Sequence, residues 1–407
     1  MFASSLGVSR KYSRPSALDL CISMPCVTPE TDNATVLQLF GKHNDLVSLP
    51  VVENDRPFGL INRHIFLSQM AKPYHRELYD KKSCIAFMDK TPLVIDAATS
   101  IEALAEQAVA SGDKALADGF IITQEGRYLG LGFGLDLIRG VSDMHARQHQ
   151  QIMQSIEYAS VIQHAMLGTS RQALANTLAD YCLVWEPRDS VGGDCYHFVA
   201  HERGWLAVVV DCTGHGVPGA FMTLIFSSVL ERALALHGPE NPAVLLQEIN
   251  RRIKHTLGQI AGQEKISKSN DGCDAVLIAV DTVASKLTWA SARTPIFRFS
   301  AATGQAEQLE SDRMGAGYTD TPCDYVWSNH EIPLIPGDLI LVCTDGLIDQ
   351  VGGIRQIAYG KRRLQELLQR CHAMSMQELA TELLQEHRAY QDDQARRDDL
   401  TFFGFRI

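Results

Sequence analysis

The run Trp205–Val210, WLAVVV, is apolar at every consecutive position, and no other stretch constrains the fold as much. A strand with one solvent face alternates polar and apolar side chains, whereas one that never alternates is covered on both faces. DLILVCT has the same texture, and LTFFGFRI closes the chain as a further strand. Helical patterns run over Gly219–Leu236, Ala243–Thr256, Lys361–Cys371 and Met376 to about Tyr390. These strands and helices come in blocks. That order predicts an α/β domain of sheets packed on one another and flanked by helices, in preference to a doubly wound parallel sheet. A chain of 407 residues has room for two or three such domains.

The N-terminal part has a different texture. From about Asp19 to Gly140 one order is run through twice: strand, helix, strand, turn, strand, helix. A repeat of this size predicts two copies of one unit stacked together. Asn54–Asp55 before Gly59, and Glu125–Gly126 before Gly130, are the expected strand-to-strand turns. From Val141 to about Leu167 the pattern becomes helical, with Ile152, Ile156, Ala159, Ile162 and Met166 on one stripe. Such a connector either packs on its own domains or pairs with a second copy as a short coiled coil. Dimerisation is the favoured expectation, because a long connector has a face to bury.

Composition narrows the class. The 37 Lys and Arg against 48 Asp and Glu give a net charge of −11, and no local basic patch suits nucleic acid. The apolar runs are shorter than the ~20 residues of a membrane span. MFASSLGVSRKYSRPS is basic but has no apolar core, so it does not read as a secretory signal. Ten cysteines without a CxxC pair suit free thiols in a reducing cytoplasm. The expectation is a cytoplasmic protein with no membrane span.

Four aspartates each lie where an apolar strand meets a turn: Asp194 in VGGD, Asp211 ending WLAVVVD, Asp345 in LVCTDG, and Asp398 before DLTFFGF. A carboxylate buried at a strand end is costly unless it is paired or bound to metal. Lys and Arg are sparse nearby, so a shared hard cation is the predicted partner, and all-oxygen ligation favours Mg²⁺ or Mn²⁺ over zinc. Gly192, Gly193 and Gly346 allow tight bends beside these residues.

VGGDCYHF, VVVDCTGHGVPGAFMT, DGCDAVLIAVD, LVCTDGLIDQVGG and DDLTFFGFRI resemble, in order, the motifs of the metal-dependent serine/threonine phosphatases of the type 2C superfamily, in their sporulation stage-two-E-like branch. The resemblance covers residues 173–407 and implies an αββα sandwich with two divalent cations, Mn²⁺ or Mg²⁺, at one end. It implies that Asp211 bridges both ions and that Asp345 and Asp398 complete one of them. Asp194 and the main-chain carbonyl of Cys212 would serve the other. Asp399 adjoins Asp398, and the family pattern prefers the first of the pair. Asp274 matches a position near the site that suits an additional metal. Arg188 is placed to pair with the substrate phosphate. His215 is a candidate proton donor, or a residue that only fixes its loop. Phosphate monoester hydrolysis then proceeds by activated water, with no covalent thiol intermediate.

LPVVENDRPFGLI and GFIITQEGRYLGLGFGLDLI resemble a tandem cystathionine-beta-synthase (CBS) pair over residues 19–140. Such pairs often bind adenine nucleotides. The usual ribose-binding Asp corresponds to Asp136 in the second repeat and to Ile65 in the first, so a nucleotide site and a purely structural pair both stand as readings. SIEYASVIQHAML, within the 141–172 connector, resembles the helical lead-in to this phosphatase domain in signalling proteins. The expected function is a phosphoserine/phosphothreonine protein phosphatase regulated by the CBS pair. Its expected partner is a phosphorylated anti-sigma-factor antagonist, and it is expected to form a homodimer. The competing readings are an inactive phosphatase-like binding protein and a two-metal hydrolase of a small phosphoester.

Overall fold

The computed structural model describes residues 15–259 and 270–407, so the first fourteen residues of the segment read for a leader lie outside it. The chain divides into two compact units, Met1–Ile152 and Met153–Ile407. The division falls inside the stretch expected to be a helical connector.

In the first unit, one copy of the repeat comprises α1 (Asn33–Lys42), β1 (Ser48–Glu53), β2 (Arg56–Asn62), α2 (Arg63–Met70) and α3 (His75–Tyr79). The second comprises β3 (Val94–Asp96), α4 (Ile101–Ala110), α5 (Asp113–Asp118), β4 (Phe120–Gln124), β5 (Arg127–Gly132) and the start of α6 (Gly134–Thr177). Asp32, Asn62 and Ser100 cap α1, α2 and α4 by accepting the backbone N–H three residues on. Both hairpins turn on two left-handed residues, Asn54–Asp55 and Glu125–Gly126, the conformation that a two-residue turn between twisted strands requires.

The copies are interleaved. Leu60 of β2 bridges to Asp89, ahead of the second copy, and Leu131 of β5 bridges to Ile22, ahead of the first. A Cβ on Gly59 would lie 2.5 Å from the Asp89 carbonyl oxygen, and one on Gly130 would lie 2.5 Å from that of Ile22. Glycine is therefore required at both crossings. The strand expected to open the first copy near Met24 is reduced to one bridge, Val27 to Val51. Pro25 and Pro29 flank it and donate no ladder hydrogen bonds, whereas its counterpart β3 pairs with β4 over three residues.

The second unit begins with β6 (Tyr181–Glu186), β7 (Asp194–His201), β8 (Gly204–Cys212), α7 (Gly216–His237) and α8 (Pro242–Thr256). Next come β9 (Cys273–Asp281), β10 (Lys286–Ala292), β11 (Ile296–Ser300), β12 (Gln305–Gln308), β13 (His330–Pro333) and β14 (Leu339–Cys343). It ends with α9 (Asp345–Ile348), β15 (Val351–Gly352), β16 (Ile357–Ala358), α10 (Gly360–Cys371), α11 (Met376–Gln391) and β17 (Leu400–Arg406). Two five-stranded antiparallel sheets result, in the orders β13-β10-β9-β8-β7 and β12-β11-β14-β17-β6.

The unbroken apolar run now has its explanation. Leu206, Val208 and Val210 of β8 pack with Phe226 and Leu230 of α7 and with Leu245 and Ile249 of α8. Ala207 and Val209 point the other way, into a core with Ile340, Val342, Phe403 and Phe405 of the second sheet. The outer face of that sheet packs on α10 and α11 through Leu364, Leu368, Leu379 and Leu383. The layers are therefore αββα, as expected. Each fully buried Val or Leu contributes roughly 1.5–3 kcal/mol, so a charge at Val208 would break the helix layer and one at Val209 the layer between the sheets. α7 is long and apolar enough by composition to cross a membrane, but its Met222, Phe226, Val229 and Leu230 belong to this core.

Within the second unit α6 packs through Gln163, Leu167, Ser170 and Leu174, all buried. This is not the predicted stripe: Ile152, Ile162 and Met166 are exposed, and only Ile156 and Ala159 are half-buried. The packed face is partly polar, and the apolar periodicity therefore does not pick it out.

Candidate active site

The row of acidic residues follows from strand register. Asp194 of β7 pairs with Asp211 of β8, and Asp211 pairs with Asp274 of β9. Opposite residues in a ladder project to the same face, so three carboxylates line up across one end of the first sheet. The second sheet brings its acids to the same end. Asp345 follows β14 and is in hydrogen-bonding contact with Asp211, and Asp398 precedes β17 and acts electrostatically on both. The four strand-end aspartates and Asp274 therefore lie at the same end of the sandwich.

Burial and mutual repulsion set their acidity. Asp194, 1% exposed, is pushed up to about 8, chiefly by burial, with Asp399 and Asp345 adding to the rise and Thr344 opposing it. Asp211 is raised well above the carboxylate range by burial and then by Asp194, Asp345, Asp398 and Asp274. Asp345 keeps part of its side chain in solvent, yet rises to about 6 through the burial of its carboxyl and the charges of Asp398 and Asp349. Asp274 also rises to about 6 by burial, although Arg293 pulls it down. Such a set asks for positive charge.

The donors fit a hard divalent cation: they are all oxygens, and Asp274 Oδ1 is buried with no hydrogen-bond partner. They border the space without closing on a point, since among the described residues no three Asp, Glu, His or Cys side chains converge on a ligand position.

Several supporting residues escaped the sequence reading. Thr344 Oγ1 donates to Asp194 Oδ2 at 2.7 Å and accepts from the Thr401 N–H at 3.0 Å, tying the two sheets together. Asp399, 2% exposed, accepts from the backbone N–H groups of Arg188 and Gly193, each at 2.6 Å. Its oxygens thus brace the VGGD loop, and Asp398 is the member of the pair not engaged there. The loop is tight as well. A Cβ on Gly193 would lie 2.3 Å from the Gly214 carbonyl oxygen and 2.7 Å from that of Cys212. That contact seats the expected Cys212 carbonyl against the loop. Gln163 of α6 donates to the Gly192 carbonyl at 2.8 Å and accepts the Gly192 N–H at 3.2 Å, and it also donates to Thr223 of α7. A single buried Gln in a polar-faced helix gives no motif by which to find it.

The remaining candidates are placed less centrally. Arg188 is exposed and donates to the Arg397 carbonyl at 3.0 Å. His215 caps α7, and its Nδ1 lies 2.9 Å from Asp189 Oδ2, so its ring is fixed by a carboxylate that the sequence did not single out. Burial and then the charge of Asp194 raise the Cys195 thiol, and a hydrogen bond with Cys273 and then burial raise that of Cys212, which keeps both protonated and unfit as nucleophiles. In the first unit Asp136 stands in the first turn of α6, 3.5 Å from Arg139. It lines neither of two clefts found there, of about 190 and 490 Å³, which both include Leu60, Asp89, Lys114 and Asp118.

An αββα sandwich with an acidic row at one end defines the class of PP2C-type, metal-dependent serine/threonine phosphatase domains. The SiaA-PP2C domain of Pseudomonas aeruginosa has 33% sequence identity and a TM-score of 0.57, covering 64% of this chain and 99% of that domain. The chain belongs to the family of stage II sporulation protein E (SpoIIE), whose model matches residues 201–407. The CBS domain model matches residues 19–72, the first of the two copies. Phosphoserine phosphatase RsbU of Bacillus subtilis (strain 168) is 23% identical over 269 residues, 63% of this chain and 71% of that protein.

Proposed function

We propose that the chain is a cytoplasmic phosphatase acting on phosphoserine or phosphothreonine in a small regulator of the anti-sigma-factor-antagonist kind. It would use two Mn²⁺ or Mg²⁺ ions. The observation that carries this reading is the convergence on Asp211 of carboxylates from both sheets: Asp194 and Asp274 by register, Asp345 by contact. The likeness to RsbU, a phosphoserine phosphatase, supports the substrate class.

In this reading Asp211, with Asp345 and Asp398 from one sheet and Asp194 and the Cys212 carbonyl from the other, would hold the ions. Bound there, the ions would neutralise phosphoryl oxygens and lower the pKa of an attacking water. Thr344 fixes Asp194, and Asp399 with Gln163 fixes the loop that presents it. His215, held through Nδ1 by Asp189, keeps Nε2 for a proton. The domains we assign are a CBS-like regulatory unit over 19–140, a connector over 141–172 and the phosphatase over 173–407.

Regulation by the CBS pair is supported by α6, which starts in the second copy and carries Gln163 to Gly192. A homodimer through α6 is supported by exposed Tyr158, Val161 and Ile162 on that helix. The test is turnover of a phosphoserine peptide, p-nitrophenyl phosphate and a cyclic dinucleotide, with Mn²⁺ and after chelation. We expect Mn²⁺-dependent turnover of the peptide, lost in Asp211→Asn. Equal turnover by Asp211→Asn overturns the proposal.

A further inference from the structure

The acidic row does not end at Asp274. Ala292, the last residue of β10, pairs with Ala275 of β9, so Arg293 leaves the sheet beside Asp274. The order across four neighbouring strands is Asp194, Asp211, Asp274, Arg293. Adjacent strands lie about 4.8 Å apart, which puts Arg293 roughly two strand spacings from Asp211. Its Nη1 lies 3.7 Å from Asp274 Oδ1, and among the described residues Asp274 is the one carboxylate of the row within ion-pair distance of a Lys or Arg.

Arg293 is held there at a cost. Its φ is 64°, the left-handed region that glycine enters freely and a side chain with a Cβ does not. The backbone is fixed by its N–H donating to the Asp312 carbonyl at 2.9 Å. Nε donates to the Arg313 carbonyl at 3.0 Å, and the guanidinium carbon lies 5.0 Å from the Tyr318 ring centroid. The terminal nitrogens remain: Nη1 is 3.7 Å from Asp274 and Nη2 is 3.8 Å from Asp320, both beyond hydrogen-bond length. The side chain is 36% exposed. A strained backbone presenting two guanidinium nitrogens held only by long ion pairs, without a hydrogen bond, at the end of a row of carboxylates is the arrangement expected where strain serves a ligand. Planar N–H pairs match phosphoryl oxygens, and those oxygens are the anions such a site must receive.

We infer that Arg293 is a binding residue for the phosphoryl group of the substrate, taking its oxygens on Nη1 and Nη2 at the edge of the acidic row. The inference rests on the phosphatase reading and deepens it.

The experiment compares wild type, Arg293→Gly and Arg293→Lys as full chains in Mn²⁺. It measures KM and kcat for p-nitrophenyl phosphate and a phosphoserine peptide, the Ki of orthophosphate, and Tm. Losing a charged hydrogen-bond donor should raise both KM values and the Ki about tenfold in Arg293→Gly, with kcat within about twofold. Tm should change little in that variant, because relief of the left-handed strain offsets the lost contacts to the Arg313 carbonyl and the Tyr318 ring. Arg293→Lys should recover part of the affinity, since it keeps the charge but not the fork. Unchanged KM and Ki in Arg293→Gly, a loss accompanied by a lower Tm, or a change confined to the peptide overturns the inference. If wild type turns over neither substrate, the phosphatase reading fails instead. Calorimetric binding of orthophosphate in Mn²⁺ then still tests Arg293 by the same tenfold difference.

Discussion

Replacing Asp194 by Asn should stabilise the metal-free protein, and increasingly so as pH rises. The unfolded carboxyl titrates at 3.8 and the folded one at about 8. Between those values the native state holds a proton that the unfolded state has released. Stability from this group is therefore complete below pH 3.8 and drains away up to about pH 8, after which it is flat. One proton of difference corresponds to about 1.4 kcal/mol per pH unit. From pH 5 to pH 7.5 the wild type should thus lose about 3 kcal/mol relative to Asp194→Asn. The amide keeps the volume and still accepts from Thr344 Oγ1, so the comparison isolates the charge. The assay is urea denaturation in chelator at several pH values. Parallel stability curves for the two proteins would refute the claim that this carboxyl is buried among like charges.

Two further outcomes follow from the loop. Asp399→Asn leaves the buried Gly193 N–H and the half-buried Arg188 N–H with a neutral and incomplete partner. It should cost about 2–3 kcal/mol by denaturant unfolding and lower kcat, with the number of Mn²⁺ bound unchanged by equilibrium dialysis. Gln163→Leu orphans both polar groups of Gly192, and should lower stability by about 1–3 kcal/mol together with kcat/KM. Wild-type kinetics in the Gln163 variant would separate α6 from the site.

The layers and the grouping of strand-end aspartates were legible for one reason. Non-alternating runs such as WLAVVV need cover on both faces, and strand ends that carry Asp beside Gly stand out against apolar sequence. Hairpin turns at Asn54–Asp55 and Glu125–Gly126 were legible from turn chemistry. What stayed hidden was set by register and by long-range contact. Nothing local announces that Arg293 lands beside Asp274, that Asp399 braces a loop some two hundred residues earlier, or that Thr344 joins the sheets. The packed face of α6 was missed because Gln163 and Ser170 are polar, and the apolar stripe led to residues that the second unit leaves exposed.

Counting bound Mn²⁺ on the full chain, by equilibrium dialysis with electron paramagnetic resonance of the free ion, addresses the acidic row directly. The account predicts two ions on the wild type and weakened or absent binding in Asp211→Asn, whose carboxylate sits between those of both sheets. A wild type that takes up none, or an Asp211→Asn protein that binds both as tightly, contradicts it.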